Sequence, residues 1–323
     1  MYMKQDITHI SEQFEFKPFV ENESAATSYE SFVVCGMGGS HLSAGLMKIY
    51  NPELNIYIHR DYGLPTISKE RFSKSLFVAS SYSGNTEEVI DFANEACKAG
   101  YALAIISTGG ALIEFAKEHS LPFILMPKTG AQPRNALGFS FVSLAKFIGG
   151  DKAVGEIQEL AQKLQPGEIE NQGKRLAASL KNKVPIIYSS RANQALAYSW
   201  KIKFNETTKI PAFHNIFPEL NHNEMTGFDF ISSTKDLSAK FHFIFLKDTH
   251  DHPKVLARMD VLKGQYEDRG FLVEVVDMVG QNKFEKIYNT IALADWTVYA
   301  LAEKYGTDPE QVPMIEEFKK LIS

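Results

Sequence analysis

Ser80-Ser81-Tyr82-Ser83-Gly84-Asn85-Thr86-Glu87-Glu88 decides the fold. An apolar run, Leu76-Phe77-Val78-Ala79, precedes it, and an amphipathic run with Val89, Ala93, Ala96 and Cys97 at helical spacing follows. A strand that delivers hydroxyls and a glycine to a helix start makes an anion site. The free amides and the positive end of the helix dipole face the ligand, and Ser and Thr hydroxyls add donors. The competing reading is a capping box, with Asn85 as cap and Glu88 three residues on.

Working outward, the same pattern recurs upstream. Ser31-Phe32-Val33-Val34-Cys35 reads as a buried strand and runs into Gly36-Met37-Gly38-Gly39-Ser40. A helix with Leu42, Leu46 and Ile49 on one face follows, ended by Asn51-Pro52. Strands are expected over 55–59, 76–81, 102–107 and 122–126, with helices after Thr86 and over 111–119. Strands alternating with helices at this rhythm imply an α/β fold built on a parallel sheet covered on both faces. Ligands in such sheets sit beyond the carboxyl ends of the strands, where both loops lie. Gly36-Met37-Gly38 is not a dinucleotide fingerprint, because the third glycine is missing and His59-Arg60-Asp61 replaces the closing acid. Small polar groups at two strand ends suit a single phosphate ester better.

Composition narrows the partners. The chain has 323 residues, 44% apolar and 23% charged, with net charge −5. That length fits two domains, and the charge gives no general attraction to nucleic acid or anionic membrane. The two cysteines, Cys35 and Cys97, lie in or beside apolar runs and read as free thiols of a reducing compartment. No apolar run reaches spanning length and the first residues carry no leader-like apolar segment, so a cytoplasmic protein is expected. Domain boundaries are expected at 1–150, a helical bridge at 151–183, and a second strand–helix series at 184–323. Residues 76–106 and 244–276 share the order strand, loop, helix, strand, which reads as an internal duplication.

Gly130-Ala131-Gln132-Pro133-Arg134-Asn135-Ala136-Leu137-Gly138 leads into a helix and holds Arg134 near its start. Arg134 suits an oxyanion contact; a lone Pro-Arg is otherwise a surface arginine. Residues 205–224 read as a long polar loop with aromatics, acids and histidines. Glu206 ends an apolar helix and is a candidate base; His222 is a candidate acid or base near neutral pH. His222 with Glu224 lacks a third ligand at metal-site spacing. Thr297 and Lys304, seven residues apart, share one helix face. Asp308-Pro309 reads as the cap and first position of a last helix.

Four blocks in order resemble the sugar isomerase domain family. They are Gly36–Ser40, Ser81–Thr86, Pro133-Arg134-Asn135-Ala136 and Pro218-Glu219-Leu220-Asn221-His222-Asn223-Glu224. Within it the chain is most similar to the bifunctional phosphoglucose/phosphomannose isomerase branch of the phosphoglucose isomerase superfamily. The resemblance implies two sugar isomerase domains, each a parallel sheet flanked by helices, and a homodimer with a shared active site. It implies a hexose 6-phosphate substrate and no metal or redox cofactor. It places Ser40, Ser81, Ser83 and Thr86 on the phosphate, with Gly39 beside them. Glu206 becomes the base between C1 and C2, and Arg134 faces the enediolate. His222, given by the partner chain, and Lys304 become the ring-opening groups. Thr297 is the small residue that leaves room for either C2 epimer. A non-catalytic sugar-phosphate sensor and an amino-sugar phosphate isomerase are the rival readings.

Overall fold

The computed structural model describes residues 2–23, 29–66, 68–229 and 231–322. The chain divides into two compact units, Met1–Leu164 and Gln165–Ser323. The stretch 151–183, expected as a bridge, is therefore shared between them.

The first unit holds α1 (Tyr2–Thr8), β1 (Ser31–Cys35), α2 (Leu42–Tyr50), β2 (Ile56–His59), α3 (Lys69–Phe72) and β3 (Ser75–Ser81). It continues with α4 (Glu87–Lys98), β4 (Leu103–Ser107), α5 (Gly110–Glu118), β5 (Phe123–Leu125) and α6 (Leu137–Ala161). The sheet is parallel, in the order β2-β1-β3-β4-β5. Every residue of β1, β3 and β4 is buried, which is why these strands read as unbroken apolar runs. Val33, Cys35, Phe77, Ala79 and Ile105 face one side, where Val89, Phe92, Ala93 and Ala96 of α4 and Leu112, Ile113 and Ala116 of α5 cover them. Buried Cys35 is a free thiol, and desolvation pushes its pKa up to about 12.

The second unit holds α7 (Glu170–Ser179), β6 (Val184–Ser190), α8 (Gln194–Lys203), β7 (Phe213–Phe217), α9 (Lys235–Ser238) and β8 (Phe241–Lys247). Then come α10 (Pro253–Asp268), β9 (Leu272–Asp277), α11 (Lys283–Tyr305) and α12 (Pro313–Ile322). Its parallel sheet runs β7-β6-β8-β9, the order of the first sheet without a fifth strand. Ile186, Tyr188, Phe243 and Phe245 pack against Met259, Leu262 and Tyr266 of α10 and against Leu220 and Phe228.

Two expectations need correction. Residues 205–224 are not one loop, because Phe213–Phe217 pairs with β6 as an edge strand. Its polar His214 and Asn215 and its exposed Phe213 hide the strand, since an edge strand buries only part of its surface. The last helix begins at Pro313, not at Pro309. Asp308 instead accepts the amides of Glu310 and Gln311 in a separate turn, and these bonds lower its pKa. Gly150, non-helical at φ 64° and ψ −156°, divides α6 into two helical segments.

Candidate functional site

Chain direction across the first sheet reverses between β1 and β3, since β1 leads out to β2 and β3 leads out to β4. The crevice beyond their carboxyl ends is the usual ligand position of such a sheet. Two turns line it. After β1, Gly38–His41 forms one tight turn and runs directly into α2. After β3, residues 82–85 lead into α4.

The turns are built on hydroxyls. Ser40 Oγ accepts the Tyr82 amide at 3.0 Å, tying the first turn to the second. Ser81 Oγ lies 2.8 Å from Thr86 Oγ1 and accepts the Gly84 amide at 3.1 Å. Ser83 is exposed, and its Oγ accepts the Asn85 amide at 3.2 Å. Gly84 sits at φ +72°, and a Cβ there would lie 1.7 Å from the Gly109 carbonyl oxygen, so only glycine closes this turn. Thr86, not Asn85, stands at the cap position of α4, and no side chain caps that helix. The Asn85 Oδ1 is drawn away instead, accepting the Ala111 amide at 2.9 Å. The capping-box reading therefore gives way, and the first amides of α4 are left without a side-chain acceptor. Glu87 and Glu88 in that same first turn oppose a bound dianion. Glu87 is exposed, so solvent screens its charge while the hydroxyls and amides act at contact distance.

Arg134 reaches the same region by its loop. A Cβ on Gly39 would lie 2.7 Å from the Pro133 carbonyl carbon and 2.9 Å from the Arg134 amide nitrogen, so the glycine lets the two backbones touch. Arg134 is 1% exposed and is no surface arginine. Its loop is clamped by Gln13, which donates to the Asn135 carbonyl at 2.8 Å and accepts the Gly138 amide at 2.9 Å. The sequence gives no sign of Gln13, because its partners lie more than a hundred residues away. Beside Ser40, His41 is buried, and desolvation, then the charge of Arg60, lowers its pKa to about 4. It stays neutral at physiological pH.

In the second unit, α8 passes into one π-helical turn, Phe204–Thr208, on which Glu206 stands half-buried. Such turns break the regular ladder and recur at functional sites. Thr208 Oγ1 donates to the Phe204 carbonyl at 2.5 Å. Lys209, left-handed at φ 58°, closes the turn, and its Nζ donates to the Glu206 carbonyl at 2.5 Å and to the Asp308 carbonyl at 2.8 Å. The π-turn packs on α11, which carries Thr297 fully buried, with its hydroxyl on the Leu293 carbonyl at 2.7 Å.

His222 ends a short turn, Glu219–His222, and is exposed. Its segment is pinned from both sides. Leu220 is buried in the core, and the Glu224 carboxylate takes the Tyr188 hydroxyl at 2.5 Å and the Asn215 amide. Burial, helped by that carboxylate, pushes the Tyr188 phenol far above its ordinary range, so it remains a donor. Glu224 is thus occupied as an anchor. Among the described residues no group of three His, Cys, Asp or Glu side chains could hold a metal ion. Lys304 lies exposed in the last turn of α11. The first unit therefore ties Ser40 to the turn that holds Ser81, Ser83 and Thr86, and brings Gly39 against the Arg134 loop. In the second, the turn carrying Glu206 packs on α11, which holds both Thr297 and the exposed Lys304, while His222 stands on a separate exposed turn. Among the described residues no helix is long and apolar enough to cross a membrane.

Residues 169–322 match the model of the bacterial phospho-glucose isomerase C-terminal SIS domain. A bifunctional phosphoglucose/phosphomannose isomerase of Caldicellulosiruptor bescii is 32% identical over 97% of this chain and 96% of its own. The protein of the same name from Aquifex aeolicus is 32% identical over 95% of this chain and 94% of its own. The fold is also that of tagatose-6-phosphate ketose/aldose isomerase from Escherichia coli, with TM-score 0.70 and 13% identity over 96% of this chain and 94% of that one. With both sheets, the four sequence blocks and full-length relatives in agreement, the chain belongs to the bifunctional phosphoglucose/phosphomannose isomerase family.

Proposed function

We propose that the chain interconverts glucose 6-phosphate and mannose 6-phosphate with fructose 6-phosphate by proton transfer through an enediolate. The observation that carries this reading is that one chain supplies both halves of the chemistry. An uncapped, hydroxyl-lined helix start suits a phosphate ester, and a carboxylate on a backbone-clamped π-turn suits a base. Ser40, Ser81, Ser83 and Thr86, with the first amides of α4, take the phosphate. His222 and Lys304 pass the proton that opens the sugar ring. Glu206 removes the proton from C2 of the aldose and delivers a proton to C1 of the ketose, exchanging it with solvent in part of the turnovers, and the hydroxyl proton moves between O2 and O1. Arg134 stabilises the negative oxygen of the intermediate, a contribution of about 10²–10³ in rate for one fixed donor. Thr297 leaves room for both C2 epimers. The steps use only this chain's acids, bases and cations.

The chain acts as a homodimer in this reading. Its support is α12, whose Met314, Phe318 and Leu321 are exposed, an apolar row that a second subunit would cover. The exposure of His222 fits a group lent to the partner's site.

The test is turnover by purified protein. Fructose 6-phosphate should yield both glucose 6-phosphate and mannose 6-phosphate in coupled assays, with the same rates in the presence of a chelator. Binding without turnover leaves the sensor reading, and turnover confined to glucosamine 6-phosphate leaves the amino-sugar reading.

A further inference from the structure

One charged pair in the second unit has no place in the chemistry above. Lys203 Nζ lies 2.5 Å from Asp295 Oδ1, with the two side chains 1% and 3% exposed. Lysine is almost never buried so completely unless paired. A buried pair is also a poor way to gain stability, because desolvating two ions offsets their attraction, and apolar residues of similar size usually do as well. Its position offers another account. Lys203 is the last residue of α8, and the π-turn carrying Glu206 starts at the next residue. Asp295 lies on α11, against which that turn packs. One turn earlier, Trp200 Nε1 donates to the Thr290 carbonyl of the same helix at 3.2 Å. At the far end, Lys209 holds the Glu206 carbonyl itself.

We propose that Lys203 and Asp295 are positioning residues that lock the end of α8 to α11 and so fix the turn on which Glu206 stands. Apolar contacts between two helices tolerate sliding; an ion pair in a dry interior holds one distance and one direction. A π-turn has a weaker ladder of its own and needs outside restraint at both ends, which Lys203 and Lys209 supply. The proposal rests on Glu206 being the base, since only a reacting group is sensitive to displacements of an ångström or less.

The test replaces the pair by apolar residues of similar size, K203M/D295L, in the wild-type and in the E206Q background. Thermal midpoints and steady-state kinetics with fructose 6-phosphate are read. The double variant should keep a thermal midpoint close to wild type, as apolar replacements of buried pairs do. Its kcat should fall about 10- to 100-fold, as expected for a misplaced reacting group, with KM changed by less than about 3-fold. In the E206Q background the same replacement should cost less than about 3-fold, because two residues acting through one step are not additive. A double variant with wild-type kcat overturns the proposal, and so does an equal loss in both backgrounds. If K203M/D295L fails to fold, D295N measured below its own midpoint takes its place, and wild-type kcat there overturns the proposal. Failure of the base reading has a separate signature: E206Q alone would then keep its activity.

Discussion

Replacing Gly84 by alanine tests whether the turn after β3 is the phosphate cradle. Two costs are written into the geometry. The residue sits at φ +72°, where an L side chain costs about 1–2 kcal/mol. The new Cβ would also stand 1.7 Å from the Gly109 carbonyl oxygen and 2.7 Å from its carbon. Ordinary contact begins near 3.5 Å, so the two backbone segments must part by about 2 Å. That movement breaks the Gly84 amide bond to Ser81 Oγ and pulls Ser81 from Thr86. Losing two charge-assisted bonds to a phosphate, each worth about 1.5–3 kcal/mol, lowers kcat/KM at least about 100-fold. Gly100→Ala supplies the control. Gly100 has the same φ of +72°, but a Cβ there would meet nothing within 4 Å, and the residue precedes β4 at the opposite end of the sheet. It should lose about 1–2 kcal/mol of stability by urea unfolding and keep its kcat/KM. The assay is fructose 6-phosphate turnover for both variants with unfolding curves alongside. Equal kcat/KM for the two variants would refute the reasoning, because strain without displacement would then account for everything.

Two further predictions follow from single side chains. Thr297→Leu enlarges a buried position on α11, and should lower mannose 6-phosphate formation relative to glucose 6-phosphate by about 10-fold or more, the discrimination that a methylene or two provides; an unchanged product ratio contradicts the assigned role. His41, lowered from 6.5 to about 4, stays neutral in the folded state where the unfolded chain takes up a proton. The His41 contribution to stability is therefore full above pH 6.5, falls as pH drops toward about 4, and is constant below, a loss of about 3 kcal/mol. His41→Gln should flatten the fall between pH 7 and pH 4.5 by about that amount in urea unfolding, and an unchanged slope would contradict it.

How much of this was legible in the sequence follows from how local each cause is. The buried strands β1 and β3 announce themselves as apolar runs, and the turns after them as small polar residues with a glycine. Their shared order along the chain made the duplicated sheet visible as well. The capping of α4 was not legible, because the fate of the Asn85 side chain is settled by Ala111, a residue on the next helix. Likewise β7 hides among polar residues because its partner, β6, fixes it only in three dimensions. Glu206 could be singled out as a candidate base, but not the π-turn beneath it or the Lys203–Asp295 pair, whose members are 92 residues apart. Gln13 and Glu224 are of the same kind: ordinary polar residues until their long-range partners are known.

Hydrogen exchange at the reacting carbons reaches the central claim most directly. Fructose 6-phosphate incubated with the enzyme in deuterium oxide, with a chelator present, should acquire deuterium at C1 as it isomerises. Glu206→Gln should slow both exchange and turnover by about 10²–10⁴ while phosphate affinity is kept. Turnover and exchange at the wild-type rate in Glu206→Gln would contradict proton transfer by Glu206.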